Sequence, residues 1–388
     1  MVQSADSIAL IVFILVQWRI TIVWLRYAGR RFSGNARIAA RLAILLLDLT
    51  VAAGCIADTL SSLGHPLFSS TFTLFLSAAV LAYCMSATAV LALHYVFKKI
   101  RTATRADFHP GRRRVLNAAR DVVMAAPFVA MAYGALIERL DFRVREVDVP
   151  VPGLSPDLDG LRILHLSDIH LSPFLSEDEL ARVIDASNAL RAHVAMVTGD
   201  LISSRRDPLD VCIRQLARLK ADAGIFGCLG NHERYSRVER RTVELSARHG
   251  IRFLRGQAQQ LRFGTSVVNV AGVDYQPLSD RAGYLRGADR LVTPGALNVL
   301  LSHNPDVFPV AARQGYDLVL AGHTHGGQVS VEILDQAINP ARFFTPYVYG
   351  LYRSEKSAAY VTRGIGTIGI PVRVGAPPEI TVVRLRKA

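Results

Sequence analysis

Residues 161–170 read LRILHLSDIH, an apolar run that closes on Asp168 and His170. The same grammar recurs four times: VAMVTGD ends on Asp200, and IFGCLGNHE ends on Asn231 and His232. LNVLLSHNPD then carries His303, and LVLAGHTHGG carries His323 and His325. Each run is short and continuously apolar, the pattern of a strand buried on both faces. The spacing predicts strands at 161–166, 194–197, 225–229, 297–301 and 317–320. Helices are predicted near Glu177–Leu190, Pro208–Leu219, Val238–His249 and 305–314. Strands alternating with helices, followed by a mostly β remainder from Gly326, predict a four-layer α/β/β/α sandwich. The five strand ends are expected to converge on one edge of a sheet, where open α/β sheets place their sites.

The halves of the 388-residue chain differ. Residues 1–140 hold 15 Lys and Arg against 6 Asp and Glu, a net of +9, and residues 141–388 hold 30 against 26, a net of +4. Twelve of the 15 basic residues fall in 26–41 and 98–114, between long apolar segments. A nucleic-acid binder would spread basic residues with aromatics over a folded face, so nucleic acid is not an expected partner. Four segments are long enough to cross a bilayer: Ser7–Leu25, Ile38–Leu60, Ser70–Phe97 and Val115–Ile137. The alternative is a buried helical bundle. The expected domains are a transmembrane helical region at 1–140, a linker at 141–160 rich in proline, and a catalytic domain at 161–388. Both basic stretches belong in the cytoplasm by the positive-inside rule, which puts residues 141–388 outside it after four crossings. Gly111–Leu116 also resembles a twin-arginine export signal, and either reading exports the domain. Arg19 and Asp48 lie inside the first two spans and are expected to neutralise each other, with snorkelling of Arg19 as the alternative. The four cysteines show no zinc spacing. Cys212 and Cys228 read as buried thiols, with a disulfide between them in an exported domain as the alternative.

Carboxylate, imidazole and amide oxygen suit divalent Mn, Fe, Zn or similar ions. Asp200 follows a Gly199 turn that brings its carboxylate close to the other clusters, so it is the expected bridge between two cations. Two such ions acidify a shared water and clamp the attacking and leaving oxygens of an in-line displacement. Asn231, next to the Gly230 turn, reads as a ligand, and Glu233 as an organiser of backbone. His165 should face away from the ligands. His303, in SHNPD, has helix entry before Pro305 as its alternative reading.

DIH, GD, GNHE, a later His and GHTH, in this order, resemble the calcineurin-like metallophosphoesterase family over roughly residues 160–385. GHTHGGQ, RGIGT around Arg363 and the closing APPEITVVRL resemble its membrane-anchored, exported bacterial branch. That resemblance implies one metal on Asp168, His170, Asp200 and His325, and a second on Asp200, Asn231, His303 and His323. It implies that His232 meets the phosphoryl group and assists the leaving group as acid or cation. The substrate it implies is a phosphomonoester or phosphodiester, lipid-linked because the chain is anchored, at the inner membrane. Some members of the family cleave the pyrophosphate of UDP-diacylglucosamine, which would need cytoplasmic access. A non-catalytic membrane sensor of phosphorylated partners is the other alternative. Many relatives carry an acidic residue just after the GD turn, where this chain has Ser203 and Ser204, so what orients the imidazoles is open. Arg363 and Arg373 read either as phosphate contacts or as ordinary surface arginines.

Overall fold

In the computed structural model, residues 2–62, 67–103, 110–333 and 336–388 are described. The chain forms two compact units, residues 1–133 and 134–388.

The first unit is helical: α1 (Val2–Arg31), α2 (Gly34–Ser62), α3 (Ser70–Ala103) and most of α4 (Pro110–Leu136). Gly34–Leu60, Ser70–Lys99 and Val115–Leu140 are long and apolar enough to cross a membrane. The span expected at Ser7–Leu25 lies in α1, and the side chains up to residue 13 fall outside the described residues, as does much of the basic stretch 98–114. Large apolar side chains such as Leu42, Leu46 and Leu49 point outward, the surface a helix presents to lipid rather than water. Polar groups turn inward. Gln17 Nε2 donates to Asp48 at 2.6 Å, and the Thr21 hydroxyl donates to the same carboxylate at 2.9 Å. The expected Arg19–Asp48 pair does not form; Arg19 meets the Tyr95 hydroxyl and its ring instead. Gln17 and Thr21 share a helix face, whereas Arg19 points elsewhere around the axis.

The second unit has two six-stranded sheets. The first contains β1 (Arg143–Val151), β2 (Arg162–Leu166), β3 (Val194–Val197), β4 (Ile225–Gly227) and β5 (Ile251–Phe253). The second contains β6 (Gln257–Phe263), β7 (Ser266–Gly272), β8 (Leu297–Leu301) and β9 (Leu318–Ala321). A hairpin, β10 (Val331–Ile333) with β11 (Gln336–Ile338), stands apart. β12 (Gly350–Arg353) and β13 (Ala358–Val361) complete the second sheet, and β14 (Glu379–Lys387) returns to the first. The orders are β1-β14-β2-β3-β4-β5 and β12-β13-β9-β8-β7-β6.

Alternation within each strand sorts the core into layers. Ile163, Met196, Phe226, Val299, Leu320 and Val383 meet between the sheets. Leu164, Ala195 and Val197 face outward onto α5 (Glu177–Ala189) and α6 (Leu209–Leu216) through Leu180, Ile184, Ile213 and Leu216. Leu300 and Val319 back onto Phe308 and Ala311. Helices therefore cover both outer faces, the expected four-layer sandwich. Two details differ from expectation. The segment 141–160 is no free linker, because β1 runs parallel to β14 over nine residues at the sheet edge. The five strand ends that carry the candidate ligands belong to both sheets: β2, β3 and β4 are parallel neighbours in one, β8 and β9 in the other.

Candidate metal centre

Asp168 and His170 follow β2, Asp200 follows β3, and Asn231 with His232 open α7 (Asn231–Tyr235) after β4. His303 follows β8, and His323 with His325 follow β9. Five of these residues adopt left-handed backbone: Asp168 (φ 51°), His170 (48°), Asp200 (54°), His323 (73°) and His325 (51°). Non-glycine residues rarely do so, and such outliers collect where a side chain must be aimed. Glycine allows the loops to meet. A Cβ on Gly230 would overlap Asp200 Oδ1, and one on Gly322 would overlap Asp168 Oδ2.

The side chains form two triads. Asp168, His170 and His325 offer atoms within 4.8 Å of one another, as do Asp200, His303 and His323. Asp200 Oδ2 lies between them, 3.5 Å from His170 Nε2 and 3.1 Å from His303 Nε2. His325 Nε2 is 3.4 Å from Asp168 Oδ1, and His323 Nδ1 is 3.2 Å from His303 Nε2. His232 groups with His170 and Asp200, and its backbone N–H donates to Asp200 Oδ1 at 2.8 Å. Asp168, His170, Asp200, His303, His323 and His325 are brought together here, and Asn231, also buried, has an Oδ1 without a hydrogen-bond partner.

The fit to cations can be judged from this chemistry alone. Buried His170 Nε2, Asn231 Oδ1 and His325 Nδ1 lack hydrogen-bond partners, a costly state unless something else satisfies them. Burial pushes the His170 imidazole down to about 3 and that of His323 to about 4, so both offer lone pairs at neutral pH. Burial also opposes charge on His303, but Asp200 and Asp168 outweigh it and hold that imidazole up at about 10. A positive charge is thus stabilised where the two carboxylates meet. The residues suit divalent ions.

Neighbouring groups fix the rings. His303 Nδ1 donates to the Thr198 carbonyl at 2.6 Å, which turns Nε2 inward. Ser203 settles what holds the other imidazoles: its hydroxyl meets His170 Nδ1 at 3.0 Å, and its carbonyl accepts from His232 Nδ1 at 2.7 Å. The Ser203 and Ser204 N–H groups donate to Asp207 at 3.0 and 2.7 Å. Glu233 accepts from the backbone of Asp200, Leu201 and Gly230, the organising role read from sequence. Sequence reasoning left the part played by Ser203 open and missed Asp207 and Tyr275, whose ring lies 5.6 Å from that of His323. The one signal was the place of Ser203 and Ser204, just after the GD turn, where many relatives carry an acidic residue.

Arg373 needs correction as a phosphate contact. It is fully buried, and its guanidinium donates to the carbonyls of Gly366, Ala376, Arg363, Gly364 and His325. No donor is left for a ligand. Arg363 differs: its guanidinium stacks on Tyr349 at 4.3 Å, and its Nε is buried without a partner. His165 faces the space between the sheets, bonded to Thr198 Oγ1 at 2.9 Å. Cys212 and Cys228 are separate buried thiols.

A two-sheet sandwich with Asp, His and Asn gathered at the strand ends of both sheets is the architecture of a metallophosphoesterase. The chain belongs to that family: the calcineurin-like phosphoesterase model matches residues 161–327. It is 30% identical over 269 residues to a metallophosphoesterase of Aquifex aeolicus, covering 67% of this chain and 98% of that protein. It is 33% identical over 286 residues to the transmembrane protein with metallophosphoesterase domain of Danio rerio, covering 69% of this chain. It is 32% identical over 248 residues to a metallophosphoesterase of Campylobacter jejuni, covering 63% of this chain. The chain spans 63% of the length of each of these last two relatives.

Proposed function

We propose that this chain is a membrane-anchored, two-metal phosphoester hydrolase. The observation that supports it best is the Asp200 carboxylate set between two triads of inward-facing ligands. Asp168, His170, Asp200 and His325 would hold one divalent cation; Asp200, Asn231, His303 and His323 would hold the other. Such a pair supplies charge neutralisation and an acidified water for in-line displacement at phosphorus. The chain's own residues do the rest. Ser203 keeps His232 Nδ1 occupied, which leaves Nε2 to meet the phosphoryl group and assist the departing oxygen as acid or cation. Arg363, with its free Nε, can take a phosphate oxygen while Tyr349 holds its plane.

Residues 1–140 act as the membrane region and residues 161–388, with the β1 segment, as the catalytic domain. The substrate is a phosphomonoester or phosphodiester linked to lipid, since the helices fix the protein at a bilayer. The catalytic domain is placed outside the cytoplasm, at a bacterial inner membrane. Reporter fusions after residue 140 test that placement: a cytoplasmic readout removes it and favours a nucleotide-lipid pyrophosphate. Hydrolysis of a chromogenic phosphodiester by the full chain with added Mn tests the activity. Asp200→Ala should abolish it, and His232→Ala should reduce kcat by 100-fold or so. Full activity in the Asp200 variant would exclude the site.

A further inference from the structure

Residues 339–349 form a turn fastened to the ligand loop at both ends. Asn339 caps the 3-10 segment Pro340–Phe343, accepting from Ala341 N at 3.0 Å, while its Nδ2 donates to the Gly326 carbonyl at 2.7 Å. At the other end the Thr324 hydroxyl donates to the Val348 carbonyl. Arg281 adds a bond to the Phe344 carbonyl at 3.2 Å and an ion pair to Asp306 at 3.3 Å. Thr324 and Gly326 flank the ligand His325, so the turn is tied to the backbone that aims His323 and His325. Its tip is nevertheless apolar and bare: Phe343 is 87% exposed and Phe344 69%. Tyr235, 67% exposed, is a third bare aromatic beside the centre, its ring 5.8 Å from that of His232.

Two adjacent phenylalanines held out in water forgo the stabilisation that burial would return. A hydrogen-bonded turn that keeps them there calls for an apolar phase to receive them. Arg342 precedes them and is also exposed, giving the combination of ring and cation that suits the headgroup boundary of an anionic bilayer. Between the turn and the metal centre lies a cavity of about 200 Å³ lined by His323, Thr324, Leu278, Pro305, Ala341 and Phe344. That is too small for most whole ligands, but it suits the first carbons beside a phosphoester.

We propose that Phe343 and Phe344 are a lipid-docking tip. They enter the headgroup–acyl boundary of a bilayer containing anionic phospholipid, with Arg342 against lipid phosphate. The cavity beside His323 then takes the glycerol end of a lipid phosphoester. The cavity's role rests on the phosphoesterase reading; the docking does not.

The test uses the full chain in nanodiscs of phosphatidylcholine and phosphatidylglycerol. Phe343→Trp is placed in a Trp18→Phe, Trp24→Phe background, so that only the new indole emits. Acyl-brominated phosphatidylglycerol should quench that emission at least twofold, and aqueous iodide should quench it little. Full iodide quenching with no bromine effect would overturn the docking. In mixed micelles, Phe343→Ser should raise the ratio of KM for long-chain phosphatidic acid to KM for a water-soluble chromogenic phosphoester about tenfold. An unchanged ratio would overturn the substrate class. If the wild type hydrolyses neither compound, the phosphoesterase reading fails, and the quenching result alone decides the docking.

Discussion

Ser203→Ala isolates one contact with a countable consequence. The substitution deletes the hydroxyl 3.0 Å from His170 Nδ1 but keeps the backbone carbonyl that His232 uses. A neutral hydrogen bond of this kind is worth about 1 kcal/mol net, which corresponds to roughly fivefold in an equilibrium constant. Loss of a group that orients a ligating imidazole commonly costs 10–100-fold in metal affinity or activity, because the freed ring samples unproductive rotamers. His170 is assigned to one of the two proposed cations, so the expected outcome is a rise of about 5–30-fold in the Kd of that cation. The protein should stay folded, since about 1 kcal/mol moves the Tm of a domain this size by only about 2–4 °C. Calorimetric Mn titration and the metal dependence of phosphoester hydrolysis would both report it. Ser203→Asp supplies a charged acceptor to the same ring and should recover the affinity. Unaltered metal binding in Ser203→Ala would refute the idea that this hydroxyl positions His170.

Four further outcomes follow from groups around the centre. Burial pushes His165 down to about 3 in the folded protein, against an ordinary value of 6.5. The unfolded chain therefore takes up that proton first. The stability tied to neutral His165 is intact above about pH 6.5 and shrinks as pH falls toward 3, by about 2 kcal/mol at pH 5. His165→Gln should flatten the fall of Tm between pH 7 and 5; an equal slope would count against it. Gly230→Ala should fold poorly or lose metal affinity, because the added methyl overlaps Asp200 Oδ1, and a variant with normal metal titration would remove the close-approach argument. Arg373→Met strips the carbonyl cage of its donor and should cost on the order of 3 kcal/mol or more, seen as a fall in Tm. Arg363→Ala should instead raise KM while Tm holds; a reversed pattern would return Arg373 to substrate binding.

The ligands were legible because each sits at the end of an apolar strand, a position that pattern reading locates well. Their distribution over two sheets was not, since β2 to β4 and β8 to β9 look alike as strings. β1 was hidden by Pro150, although Val147, Val149 and Val151 keep a two-residue period. Proline is tolerated there because β1 is an edge strand with only β14 beside it, so its missing N–H leaves no ladder bond unmade. Ser203 was marked only as a serine where many relatives carry an acidic residue, because a loop serine gives no periodic signal that would show which ring it meets. Arg373 read as a surface or phosphate-binding residue because no periodic signal shows that its own segment, residues 363–376, folds back so that four carbonyls of that segment and the His325 carbonyl converge on it. Asp48 was assigned the nearest charge in the adjacent span, but helix geometry selected Gln17 and Thr21 on the facing side.

The backbone at the centre explains why so much surrounding structure is devoted to it. Left-handed conformation costs a non-glycine residue roughly 1–2 kcal/mol, and five ligand residues adopt it. Each is held by bonds from elsewhere in the fold. Asp168 N–H donates to the Gly199 carbonyl at 3.1 Å, and His170 N–H donates to the Asp200 carbonyl at 3.0 Å. His323 N–H donates to the Asp168 carboxylate at 3.0 Å, and Glu233 grips the turn around Asp200. These bonds cross between strand ends and, for His323, between the two sheets, so the folded sandwich as a whole opposes relaxation of any one loop. On the two-metal proposal, binding of cations would need little rearrangement of backbone. A site strained in advance by the fold gives up stability to gain fixed ligand directions, and five of the nine left-handed non-glycine residues among the described residues are candidate ligands.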